Sequence, residues 1–212
     1  MENAEVLRNQ LMGETLVKNF EKRGFGAYYC ATKEEAVAKA LELIPEEDIV
    51  SWGGSVTLKE VGLLDAIKKR NPVIDRDLAE TPEEKTELMR NALLCDTFLM
   101  SSNAISKDGQ LVNINGNGNR VAALVFGPKQ VLVIAGVNKV VGSLDAAIDR
   151  ARNVAAPINA SRFTGLPTPC AKLGMCAECV SPSSICSQIL ITRTCRVPNR
   201  IKIIIVGEHL GF

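Results

Sequence analysis

The chain has 212 residues, of which 46% are hydrophobic, 23% charged and only 4% aromatic, and its formal charge is +1. A chain of this length buries roughly 70% of its unfolded surface and needs no covalent staples; its ordinary balance of apolar and charged residues excludes disorder. Near-neutrality excludes a global field that would draw it to nucleic acid or an acidic membrane.

The longest apolar runs, residues 131–137 and 203–206, are far too short to cross a bilayer, so no membrane insertion is expected. The polar, acidic opening residues do not read as a signal peptide, and a cytoplasmic protein is expected. Residues 1–24 hold a helix with Leu7, Leu11, Leu16, Val17 and Phe20 near helical spacing, stopped by Gly24 and Gly26. Residues 27–30 read as a strand. Thr32 and Glu35 form a capping box for a helix that Pro45 closes. Residues 48–52 read as a buried strand ending in Gly53-Gly54-Ser55. Thr57 and Glu60 form a second box, opening a helix with Val61, Leu64 and Ile67 on one face. Residues 72–74 are the next strand. Thr81-Pro82 with Glu84 starts a helix whose buried stripe is Leu88, Met89, Ala92 and Leu93.

This alternation is the signature of a parallel sheet with crossover helices. After a strand at 97–100 the pattern changes. Asp108-Gly109 is a hairpin signal, because both residues tolerate positive φ. Residues 121–126 are compatible with a strand or a short helix; Gly127-Pro128 favours the helix. Residues 130–135 form the clearest buried strand. Ser143 caps a helix running to about Asn153, followed by Pro157. Two strand-like runs, 189–192 and 201–206, come last. The expected class is α/β, a mainly parallel sheet with flanking helices, one antiparallel hairpin and a Cys-rich segment at 157–196, all in one domain spanning residues 1–212.

Three stretches carry anion chemistry. Gly53, Gly54, Ser55 and Thr57 combine glycines, hydroxyls and a helix start, a cradle for phosphate or carboxylate or simply a capped turn. Asn115, Gly116, Asn117, Gly118, Asn119 and Arg120 form a loop of turn-formers that places a cation at a helix start, against the dipole, a placement relieved if Arg120 faces an anion. Asn138 and Lys139 follow the clearest strand, at the end where open α/β sheets bind ligands, although a solvated lysine also fits. No Walker loop or dinucleotide fingerprint is present.

Five of the seven cysteines crowd between Cys170 and Cys195, while Cys30 and Cys95 stand apart. Cys170, Cys176, Cys179 and Cys186 surround a Cys-x-x-Cys core with ligand spacing for an iron–sulfur cluster or zinc. Inert packed thiols or a disulfide formed on oxidation are the alternatives. The only histidine, His209, removes any triad built on histidine and reads as a surface residue.

Trp52-Gly53-Gly54-Ser55-Val56-Thr57-Leu58-Lys59-Glu60, Asp108-Gly109-Gln110-Leu111-Val112-Asn113-Ile114, Gly118-Asn119-Arg120-Val121-Ala122-Ala123-Leu124, Phe126-Gly127-Pro128 and Gly136-Val137-Asn138-Lys139 together resemble the lactate-utilisation (LUD) domain family over most of the chain. The resemblance implies a fold like ribose-5-phosphate isomerase and the CoA transferases, with phosphate- or carboxylate-binding loops at strand ends. It implies a component of bacterial lactate or related hydroxy-acid oxidation, acting on a small anionic metabolite beside iron–sulfur and oxidoreductase partner proteins. The cysteine cluster resembles one branch of the family and is absent from its short lactate-operon proteins. The alternative is a phosphate or CoA-ester enzyme or sensor on the same scaffold, with structural zinc or free thiols. The family supplies no catalytic residue to carry over, and a homodimer is left open.

Overall fold

The computed structural model describes residues 2–212. In chain order it runs α1 (Glu2–Glu21), β1 (Gly26–Cys30), α2 (Lys33–Leu43), β2 (Val50–Trp52), α3 (Val56–Val61), α4 (Leu63–Arg70), β3 (Val73–Ile74), α5 (Pro82–Asn91), β4 (Thr97–Met100), β5 (Ala104–Ser106) and β6 (Leu111–Asn115). It continues through α6 (Asn119–Val125), β7 (Gln130–Gly136), β8 (Val140–Val141), α7 (Leu144–Arg150), α8 (Ala156–Ala160), α9 (Pro169–Leu173), β9 (Gln188–Thr192) and β10 (Ile201–Val206).

Six strands form a parallel sheet in the order β1-β10-β7-β4-β2-β3. Its central strands are buried on both faces, which is why they read as unbroken aliphatic runs. Val131, Val133, Ile203 and Ile205 pack with Phe20, Phe25 and Phe98 on one side. Leu132, Ile134, Ile204 and Val206 pack with Leu58, Leu63 and Ile67 on the other. Each such side chain contributes roughly 1.5–3 kcal/mol by leaving water. The expected hairpin, β5 with β6, belongs to a second sheet of order β8-β5-β6-β9, whose own small core includes Ala104, Val112, Ala147 and Ala151. The sequence reading had no second sheet, because β8 has two residues and β9 is half exposed, so neither carries a burial pattern.

Thr32, Thr81 and Ser143 cap their helices as expected. The second capping box does not form. Ser55 is the N-cap, its hydroxyl accepting from the Leu58 N–H, and Thr57 lies buried inside α3. Val61, Leu64 and Ile67 are buried as expected, but Gly62 at φ 80° divides their helix into α3 and α4. The stripe on α5 is shallower than its spacing suggests: α5 buries no residue, and of the four only Ala92 is buried.

The helix begun at Ser143 does not stop near Asn153. It passes through a π-turn, Ala151–Ala155, directly into α8, with Pro157 near the start of that helix. Proline removes a donor and crowds the carbonyl four residues back, and a widened turn accommodates both defects.

Gly109 fixes the hairpin. It sits at φ 80°, and a Cβ there would lie 3.1 Å from backbone atoms of Asn19 and Phe20 in α1. Gly109→Ala is expected to lower stability by about 1–2 kcal/mol through the left-handed backbone alone. Gly142→Ala, with ordinary φ and open space around it, is the neutral control. Urea midpoints compare the two; equal midpoints would contradict this account of the turn.

Candidate functional site

Parallel strands end together, and the loops leaving β2, β4, β7 and β10 crowd one edge of the main sheet. They enclose a cleft whose floor is a cavity of about 80 Å³, lined by Ser55, Thr57, Ser101, Asn103, Ile114, Arg120, Lys139, Asn159, Arg162 and Phe212 among others. It opens into an outer groove of about 550 Å³ that adds Gly53, Lys59, Arg76, Asp77, Lys85, Asn115, Gly116, Asn117 and Asn119.

Lys139 forms the floor. It ends the short 3-10 turn after β7 and is only 3% exposed. Its Nζ donates to Thr57 Oγ1 and to Ser101 Oγ, both at 2.9 Å. Among the described residues no carboxylate forms an ion pair with it. Burial first, then the Arg150 and Arg120 charges, push its pKa down to about 7, with Glu60 acting in the opposite direction. Near neutrality Lys139 is therefore divided between an ammonium that attracts an anion and an amine that accepts a proton.

Arg120 lies in the wall. Its Nη1 donates to Ser101 O at 3.0 Å and Asn113 Oδ1 at 2.9 Å; its Nη2 donates to Asn103 Oδ1 at 3.1 Å and Ile114 O at 2.5 Å. Neutral acceptors, rather than an anion, thus explain how a cation is tolerated in the first turn of α6. Desolvation and the Arg76 charge lower its pKa to about 10. Arg76 has a buried Nε without a hydrogen-bond partner, and Asp77 stands 3.9 Å from it, so two close guanidiniums share the wall with little counter-charge.

The glycines make room for these cations. A Cβ on Gly53 would meet Arg120 Cδ at 2.7 Å, and one on Gly54 would meet Arg76 Nη2 at 2.8 Å. In the 115–120 loop, the Asn115 amide, flipped so that its oxygen rather than its nitrogen faces the backbone, accepts from the N–H groups of Gly116, Asn117 and Gly118 at 2.9–3.1 Å. Those N–H groups are consumed within the loop. Gly118, at φ 83°, serves as the N-cap of α6. Asn138 does not line the cleft. Its amide accepts from Leu210 N–H and donates to Gly211 O, anchoring residues 210–212 beside Lys139.

Sequence reasoning missed Ser101, Asn103, Arg76, Asn159, Arg162 and Phe212. The polar triplet Ser101-Ser102-Asn103 directly after β4 was an available signal. Asn159 and Arg162 arrive only because the helical run continues past Pro157. His209 is exposed, as expected.

Cys170, Cys176, Cys179 and Cys186 line a separate cavity of about 200 Å³, with Ile114, Arg152, Ala156, Pro157, Glu178 and Ile189. All seven cysteines are free thiols. Burial first, then the neighbouring Cys170, Cys176 and Cys179, push the Cys186 thiol up to about 11. Among the described residues no group of three or more Cys, His, Asp or Glu is placed to hold a metal ion. Cys195 is elsewhere, buried in the main core with its thiol donating to Val197 O.

The LUD domain family model matches residues 13–206, and the chain belongs to that family. A DUF162 family protein from Deinococcus radiodurans is similar in structure, with a TM-score of 0.56 at 10% identity over 94% of this chain and 98% of that one, a likeness of fold alone. Ribose 5 phosphate isomerase A from Neisseria gonorrhoeae aligns with a TM-score of 0.34 and 16% identity over 53% of this chain and 54% of that one, and nothing further rests on it. No curated protein matches the sequence. Among the described residues no helix is long and apolar enough to cross a membrane.

The depressed Lys139 pKa has a consequence for stability. In the unfolded chain this lysine stays protonated until pH ~10.4; in the native state it loses its proton near 7. Between those values the unfolded chain holds the extra proton, so this group's contribution makes stability rise with pH across that window. Lys139→Met is expected to remove that rise and to melt above the parent on the acid side of pH 7. Thermal melts of parent and variant from about pH 6 to about pH 10 test this. Parallel profiles would show that burial does not perturb Lys139.

Proposed function

We propose that this LUD domain binds a small anionic metabolite, a 2-hydroxy acid of the lactate class, with its carboxylate on Lys139, as a component of lactate or related hydroxy-acid oxidation. The observation that carries this reading is the buried Lys139 ammonium, which has two hydroxyl partners and, among the described residues, no ion-paired carboxylate. Two hydroxyls occupy two of its three donors, leaving one for a ligand. A buried cation is costly unless paired, and an incoming carboxylate supplies the pair. The floor cavity has room for several waters or one small acid. Membership of the LUD family supports the metabolic setting, and with it oxidoreductase and iron–sulfur partner proteins.

A second reading draws on the outer groove, where Lys59, Arg76, Lys85 and Arg162 face a single acid, Asp77. That balance suits a phosphorylated sugar or a CoA ester reaching outward from the floor.

Thermal shift and calorimetry of the full chain with L-lactate, glycolate, pyruvate, ribose 5-phosphate and CoA separate the readings. A ligand at a hundred times its Kd stabilises by about 2.7 kcal/mol. The hydroxy-acid reading expects such a shift with lactate or glycolate, abolished in Lys139→Met and weakened as pH rises above 7. A shift with the phosphorylated compounds alone, lost in an Arg76→Ala, Arg162→Ala double variant, would replace it with the second reading. No shift with any of them would refute both.

A further inference from the structure

We propose that Cys170, Cys176, Cys179 and Cys186 ligate one iron–sulfur cluster in the cavity behind Ile114. This does not depend on which anion occupies the cleft.

The first ground is convergence. The four thiols come from α9, from the irregular stretch 174–187 and from just before β9, yet they line one cavity. The chain makes unusual turns to bring them there. Gly174 at φ 72° ends α9, and Glu178, between Cys176 and Cys179, takes φ 51°, a left-handed conformation that side chains disfavour. The lining also includes Arg152 and Ala156, in and beside the π-turn.

The second ground is what burial fails to explain. Cys176, Cys179 and Cys186 are only partly buried, and the segment around them exposes Leu173, Met175 and Val180. A stretch with so little core of its own gains little from packed thiols. A shared inorganic centre would supply the missing folding energy.

The third ground is spacing, which separates the two candidate centres. Zinc draws four sulfurs onto a single ion at ~2.3 Å. In a cluster the four thiolates are distributed over two or four irons, so the cage is wider and the sulfurs need not converge on one point. Four cysteines around a cavity of about 200 Å³ suit the second arrangement.

The position is also informative. Ile114 lines both this cavity and the Lys139 cleft, so one side chain on β6 separates the proposed cluster from the bound anion.

The test is anaerobic purification of the full chain, followed by reconstitution with iron salts and sulfide, and assay of iron, acid-labile sulfide and zinc. Iron and sulfide are expected in equal amounts, about two or four of each per chain, with broad visible absorbance. Cys176→Ser and Cys179→Ser are expected to lose both, and Cys95→Ser, buried in the main core, to retain them. Should the serine variants fail to fold, iron X-ray absorption on the parent decides, with sulfur ligation expected. One equivalent of zinc without sulfide, iron retained in folded Cys176→Ser, iron bound through oxygen or nitrogen, or no metal above background would each overturn the assignment.

Discussion

The Arg120 guanidinium joins the two sheets, and the cleft depends on it. One side of its fork reaches the Ser101 carbonyl, directly beyond β4 of the main sheet, and the Asn113 amide; the other reaches Asn103 and the Ile114 carbonyl. Asn113 and Ile114 belong to β6 in the second sheet. A planar cation with in-plane donors on both arms of its fork can bridge four acceptors in fixed directions, which a lysine cannot do. Remove that bridge and the second sheet loses its anchor at the edge where the ligand cleft opens. Gly53 is the matching constraint, because any side chain there would displace the Arg120 stem.

From this joint the electrostatic character of the molecule follows. The net charge is close to zero, yet Arg76, Arg120, Lys139 and Arg162 line the cleft at the sheet edge. The charge of Lys139 is worth most, because burial excludes water from it, whereas Arg162 is exposed. Lys139 bears the largest cost: burial and neighbouring cations favour its neutral form, a cost that a bound anion would offset.

The helical run through α7, the π-turn and α8 serves both cavities. Arg152 and Pro157 face the cysteines, whereas Asn159 and, just beyond α8, Arg162 reach the cleft. Arg150, at the end of α7, donates to the carbonyls of Asn138 and Asn103, tying the same run to the loops after β7 and β4. The widened turn thus sets the azimuth of residues on either side of it, and Ile114 stands between the two chambers.

Much of this was legible along the chain. Aliphatic runs buried on both faces announce a parallel sheet, since the signal lies in consecutive residues, and the caps at Thr32, Thr81 and Ser143 are equally local. Lys139 stood out because it follows the clearest strand, where a solvated lysine fitted equally, and the fold buries it. What sequence could not decide was direction. Thr57 looks like a cap, but tertiary burial turns its hydroxyl to Lys139 and leaves capping to Ser55. Asn138 looks like a ligand residue, but the backbone of residues 210–211 claims its amide. Arg120 looks like an anion receptor, but four acceptors from 6 to 19 residues away along the chain surround it. The second sheet, with its two-residue and half-exposed strands, leaves no periodic trace. The sequence determined which residues could form strands, caps and cysteine spacing, because those depend on neighbours within one or two turns. Only the tertiary structure decided which polar side chains remain free for a ligand, because that depends on which acceptors the folded chain brings within 3 Å.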